Sequence, residues 1–190
     1  MPQMDAAKSV DINALKAQID AEIAARLLVE ADFANHIHRR GFSVGDLKLL
    51  VDMDVASEVA EMPQLYRLPG APAGVKGLAN RYGRVVPVID LPALFGFPHE
   101  RAASEWLLVC GRGEDAVGII IDSLPERKKF TQDDAVSLAE SPHPITAYAR
   151  AAYLEWQDIW IDIDTEALFT AVFQAETPIT EPAEIGAKQF

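Results

Sequence analysis

Over residues 11–38 the chain carries no Gly or Pro, and Ile12, Leu15, Ile19, Ile23 and Leu27 recur every three or four positions. That period marks one face of an amphipathic helix. Ser9 or Asp11 is placed to cap its start by accepting a bond from a first-turn amide, and Gly41 is placed to end it. Beyond Gly41 the texture changes to short runs of Val, Ile, Leu and aromatics, broken by Gly, Pro, Asp and Asn about every ten residues, as in all-β domains. "GFSVGDLKLLVDM" reads as a hairpin turning at Gly45 and Asp46. "YRLPGAPAG" reads as a loop, and "GLANRYGRVVPVIDL" as two strands joined at Tyr82 and Gly83. Pro87 sits inside an apolar run, where it marks an edge or a bulge that needs no ladder donor.

Further along, "LPALFG" predicts a single helical turn, while "EWLLVC" and "AVGIIID" predict two strands linked by the turn signal "GRGED". "ERKKF" is expected to be a solvated loop, and "TQDDAVSLAESPHP" an irregular excursion. The final strands, "ITAYARAAYLEW" and "IWIDID", are expected to turn at Gln157 and Asp158. "DTEALFTAVFQ" then forms a short helix capped by Asp164 or Thr165. The pattern divides the chain into a helical extension over 1–40, a mainly β domain over 41–174 and a disordered tail over 175–190. The stripe on the first helix either packs on the domain or drives self-association. Packing is preferred, because an exposed apolar stripe is a liability.

Composition narrows the function classes. With 49% hydrophobic and 24% charged residues in 190, the chain can bury a core of its own. A net charge of -12 disfavours nucleic acid and anionic lipid, since both require clustered Lys and Arg. No apolar run approaches the length that spans a bilayer, and the first residues lack the pattern of a secretory signal. The single cysteine, Cys110, fits a reducing cytoplasm.

Candidate chemistry is sparse. His36 and His38 lie two apart, the wrong spacing for joint metal ligation from a helix, so no metal site and no cofactor are expected. Cys110 ends an apolar strand, where a buried, inert thiol is expected even though His143 is available as a base. Asp162 and Asp164 share a strand face, as paired catalytic carboxylates would, yet between Ile161 and Ile163 they read more simply as the wet side of a half-buried strand. Trp106, Trp156 and Trp160 read as core or interface residues. No nucleophile elbow, Walker loop or dinucleotide fingerprint occurs. A small β-barrel enzyme using Cys110 or the Asp162/Asp164 carboxylates is therefore the weaker alternative to a protein-binding module.

Three blocks in order, "YRLPGAPAGVKGLANRYGRVVPVIDLPALFG", "WLLVCGRGEDAVGIIIDSL" and "IWIDIDTEALF", resemble the CheW family, adaptor proteins of bacterial chemosensory arrays. The resemblance spans residues 41–174. It implies a mainly β fold of two small five-stranded barrels around a shared core, with an added N-terminal and a short C-terminal helix. It also implies a non-enzymatic role, joining the cytoplasmic tip of a receptor to the regulatory domain of a histidine kinase. The protein would be cytoplasmic, recruited to membrane-bound receptor arrays without inserting in the bilayer. "GFSVGDLKLLV", "YARAAYLEW" and the long first helix resemble the branch that controls type IV pili and twitching motility.

Carried over residue by residue, the resemblance assigns Glu58 and Ala56 to the receptor-facing surface. Their two-residue spacing is expected to put both on one strand face. Gly118 and Asp122 match the strand that makes part of the kinase contact. The hairpin tip departs from the family: Tyr82 stands where arginine precedes glycine, flanked by Arg81 and Arg84. Either Arg84 supplies the lost charge from across the turn, or the contact is more apolar. The second is preferred, because tyrosine suits protein interfaces. Ala151 also replaces a family glycine, which puts a bulge there in doubt.

Overall fold

The computed structural model describes residues 12–100, 104–138 and 143–174. The tail over 175–190 and the candidate caps Ser9 and Asp11 lie outside them. A long helix, α1 (Ile12–Asn35), leads directly into β1 (Ile37–Val44), which forms a hairpin with β2 (Leu47–Asp52) around Gly45. The helix thus ends well before Gly41, which lies inside β1. A Cβ on Gly41 would sit 2.7 Å from both the Trp160 ring and Lys128 Cγ, so this glycine is a close-packing position rather than a helix stop. The described residues of the α1 stripe do not pack on the domain: Ile19, Ile23 and Leu27 are 48%, 53% and 60% exposed.

The middle of the chain builds one sheet. It contains β3 (Ala56–Glu61), β4 (Leu65–Tyr66), β5 (Val75–Arg81), β6 (Arg84–Ile89), β7 (Trp106–Cys110) and β8 (Val117–Ile121) in the order β3-β7-β8-β6-β5-β4. The other sheet joins β1 and β2 to β9 (Glu126–Phe130), β10 (Ala149–Glu155) and β11 (Asp158–Ile163), in the order β10-β11-β2-β1-β9. One sheet therefore has the expected five strands. The other has six because the two-residue β4 is added at its edge. "ERKKF" is not a loop: it is β9, paired along β1 from Gly41↔Glu126 to Ile37↔Phe130. The hairpin of β10 and β11 turns one residue earlier than expected, through Trp156 at φ 60.

Both faces of the central strands are buried, which explains why "LLVC" and "VGIII" read as continuous apolar runs. Leu108, Cys110, Ile119 and Ile121 point into a core shared with Phe42, Leu49, Val51, Ile161 and Ile163 of the other sheet. Leu107, Val109 and Ile120 point the opposite way, into a small core of their own sheet with Ala79, Val86 and Val88. Leu50, Phe130, Tyr153 and Trp160 form the corresponding core of the five-stranded sheet. Two short helices close the shared core. The helical turn α2 (Leu91–Phe95) ends at Gly96, whose left-handed backbone returns its N–H to the Pro92 carbonyl. The second is α3 (Thr165–Gln174), capped by Asp164, whose Oδ1 accepts from the Ala167 N–H at 3.0 Å. Despite Ala151 replacing glycine, the register of β10 shifts between Ala149 and Ala151, so the bulge is present without it.

Candidate partner-binding face

The hairpin of β5 and β6 turns through Tyr82 and Gly83, both with positive φ (52 and 80), the pattern of a type I′ turn. Asn80 makes that turn in part: its Oδ1 accepts from the Gly83 N–H at 3.0 Å. Glycine tolerates this backbone, whereas tyrosine pays for it. The result is a Tyr82 ring that is 87% exposed. Arg81 lies 5.0 Å from the centroid of that ring. It also forms an ion pair with Glu58 across from β3. The charge beside Tyr82 is thus supplied by Arg81, held by Glu58. Arg84 stands opposite Arg81 at the end of the ladder and is exposed, with no ion pair among the described residues.

Glu58, Arg81, Tyr82 and Arg84 are brought together, but Ala56 is not with them. The β3–β7 register slips at Ser57: Ala56 faces Cys110 while Glu58 faces Val109. Ser57 Oγ donates to the Val109 carbonyl at 3.1 Å and pins this bulge. The extra residue reverses the alternation, so Ala56 enters the shared core while Glu58 lies on the opposite face. The expectation that both share a face is therefore corrected.

Gly118 and Asp122 are also occupied within the chain. Gly118 lies in the middle of β8, between β6 and β7, and is buried. A Cβ there would meet Leu107 Cδ1 at 2.6 Å and Val88 Cγ2 at 3.3 Å, so glycine is needed for packing. Asp122 Oδ2 accepts from the Gly45 N–H at 2.5 Å, and Oδ1 lies 3.5 Å from His99 Nε2. That carboxylate ties the β1–β2 turn to the end of β8. Gly118 is enclosed within its sheet, and the Asp122 carboxylate is engaged within the chain.

The candidate enzyme residues fall apart in the same way. Cys110 is fully buried in the shared core, and desolvation pushes its thiol up to about 12. Asp162 is not on a wet strand face. It is buried, with Oδ2 accepting from Arg39 Nε at 2.9 Å and Oδ1 3.7 Å from Arg150, while Asp52 pairs with both arginines. Burial raises its carboxyl above the ordinary value, partly opposed by Arg39 and Arg150. Asp164 is the α3 cap. The His36 and His38 rings contact edge to face, 6.4 Å apart, and no group of metal-ligating side chains converges among the described residues.

Two features were missed in the sequence. Asp90, in the "VIDL" motif, is buried against Lys76 Nζ at 2.7 Å and joins the start of α2 to β5. Its position just before "LP" is the signal that a strand-to-helix junction needs a polar anchor. Trp156, at the β10–β11 tip, is 93% exposed between Leu154 and Ile159, which are exposed too. No periodicity distinguishes it from the buried Trp160.

Comparison with known proteins agrees with this architecture. Residues 41–173 match the CheW-like domain family. The chain is 38% identical over 94 residues to Protein PilI of Pseudomonas aeruginosa, covering 49% of this chain and 53% of that one. It is 28% identical over 93 residues to a probable chemotaxis protein CheW of Rhizobium etli, covering 48% of this chain and 60% of that one. The chain thus spans little more than half the length of these relatives. The crystal structure of the scaffolding protein TtCheW from Thermoanaerobacter tengcongensis superposes with a TM-score of 0.56 at 21% identity, over 66% of this chain and 82% of that one, a likeness of fold. With the family match covering most of the chain and the two-sheet fold in accord with it, this chain belongs to the CheW-like domain family.

Proposed function

We propose that this protein is a non-catalytic adaptor of a chemosensory array, joining the cytoplasmic tip of a chemoreceptor to the regulatory domain of a CheA-type histidine kinase. The observation that carries the reading is the β5–β6 tip, where Tyr82 is displayed on a strained backbone beside the Glu58–Arg81 pair and exposed Arg84. An exposed aromatic flanked by arginines is the composition of a protein-contact hot spot. Tyr82 makes this contact flatter and more apolar than an arginine would. Ala56, Gly118 and Asp122 act on partner binding indirectly, by fixing the strands that carry the contact face.

The likeness to Protein PilI and the long first helix favour the type IV pilus branch. The protein works in the cytoplasm at membrane-bound receptor arrays and needs no cofactor, metal or nucleic acid. No described helix is long and apolar enough to cross a membrane. The exposed α1 stripe supports self-association within such arrays.

The test is calorimetric titration of the full chain with the kinase regulatory domain and, separately, with a receptor-tip fragment from the same organism. Binding to both is expected, weakened in Tyr82→Ala. Failure to bind either at tens of micromolar rejects the reading.

A further inference from the structure

Strand β6 meets β8 only at Val88 and Ile89, so the earlier half of β6, up to Pro87, diverges from its neighbour. The gap opens into a cleft of about 640 Å³, walled by α3 on one side and by the 3-10 turn Gly113–Asp115 on the other. Its apolar lining includes Val55, Pro87, Val117, Phe169 and Phe173. Phe173 is 40% exposed, and Val85, two residues before Pro87 and so on the same strand face, is 66% exposed. Phe169 and Phe173 lie four apart on α3, which places both rings on the cleft side. The buried residues of α3, Leu168 and Val172, lie deeper in the shared core, and Phe169 packs against that core from the cleft side.

The polar lining carries one sign of charge. Glu114, Asp115 and Glu166 all line the cleft, no Lys or Arg does, and none of the three carboxylates is ion-paired among the described residues. An apolar floor with an unneutralised acidic rim fits apolar side chains accompanied by cations. We propose that this cleft docks a basic, amphipathic segment of a partner protein, at a site separate from the Tyr82 tip. The chain's own residues 175–190 follow directly from Gln174 at the cleft, but they carry Glu176, Glu181 and Glu184 against the single Lys188. They would bring like charge to the rim. A second copy, with a net charge of -12, is disfavoured for the same reason.

The proposal does not depend on the receptor–kinase reading. Its test is a titration of the full-length ¹⁵N-labelled chain with a synthetic amphipathic helical peptide of leucine and lysine. The same pattern with glutamate for lysine serves as control. Saturable amide shifts concentrated at Val55, residues 111–117 and α3 are expected, with none from the control. Phe173→Asp and, separately, Glu114→Lys, both at exposed positions, should each weaken binding by about tenfold, equivalent to 1.4 kcal/mol. Asp158→Lys, on the other sheet, should leave it unchanged. Shifts scattered over the surface with equal affinity in all variants would mean diffuse charge attraction and overturn the proposal, as would no binding at all. Amide resonances of 175–190 that sharpen in Phe173→Asp without peptide would make the chain's own end the occupant, and overturn it too.

Discussion

Gly118→Ala separates two roles for one residue, a surface contact for the kinase and a packing position inside β8. The added Cβ would stand 2.6 Å from Leu107 Cδ1 and 3.3 Å from Val88 Cγ2. A methyl end can normally swing aside, but Leu107 is fully buried among Val88, Val109 and Ile120, so its movement pushes on a filled core. Such overpacking costs about 1–3 kcal/mol. Restricting the unfolded chain returns about 0.4–1 kcal/mol, because alanine has fewer unfolded conformations than glycine. The net expected loss is about 1–2 kcal/mol, or about 2–8 °C in Tm for a chain of this size. Urea denaturation measures it directly, and titration with the kinase regulatory domain at low temperature, where the variant is folded, should give wild-type affinity. In the Leu107→Val background the Gly118→Ala loss should shrink, because the clashing methyl is gone; the cycle measures that coupling. Unchanged stability, or a loss of kinase binding at full stability, would refute the packing argument.

Tyr82→Ala should leave stability within about 0.5 kcal/mol, since the ring is exposed, and weaken partner binding by about 1–2 kcal/mol in calorimetry. Trp156→Gly should raise stability by about 1 kcal/mol in urea melts, by relieving the left-handed backbone at the β10–β11 tip. Asp164→Ala should cost about 0.5–2 kcal/mol in the same assay through loss of the α3 cap. The Cys110 thiol rises from 9.0 to about 12 on folding, so its contribution is complete below pH 9 and is lost as pH rises from there towards 12. The stability advantage of the wild type over Cys110→Ala in denaturant melts should therefore shrink above pH 9, and a constant difference up to pH 11 would contradict the burial.

Many strands and turns could be read from the sequence because Gly, Pro and Asn punctuate the chain where the backbone turns, as at Asn80–Gly83 and Gly96. What escaped depended on partners remote in sequence. "ERKKF" looks solvated, yet β9 finds its ladder on β1, and the stem of Lys128 covers the Trp160 ring with Nζ 4.3 Å from its centroid. Asp162 looks like the wet half of an alternating strand until Arg39 and Arg150 arrive to pair with it. At the candidate contact face, Asn80 and Gly83 mark the hairpin tip in the sequence. A one-residue bulge leaves no mark in composition and reverses every side chain beyond it, which is why a two-residue spacing does not put Ala56 and Glu58 on one face.

The topology carries a consequence for the order in which the chain becomes a protein. The sheet that presents Tyr82 is drawn entirely from the uninterrupted stretch β3 to β8, whereas the other sheet recruits its strands from both ends of the domain. On a ribosome the first sheet can close as soon as β8 emerges. The second must wait for β11 to slot in parallel beside β2, at Lys48↔Trp160, and for Asp162 to reach Arg39, 123 positions earlier. Until then the shared core around Phe42, Leu49 and Val51 lacks Ile161 and Ile163, and Leu50 lacks Trp160 on the other face. A stop codon just upstream of β11 would therefore do more than shorten the molecule. It would leave a closed six-stranded sheet attached to a sticky, unclosed half, a product for proteases rather than a smaller stable domain.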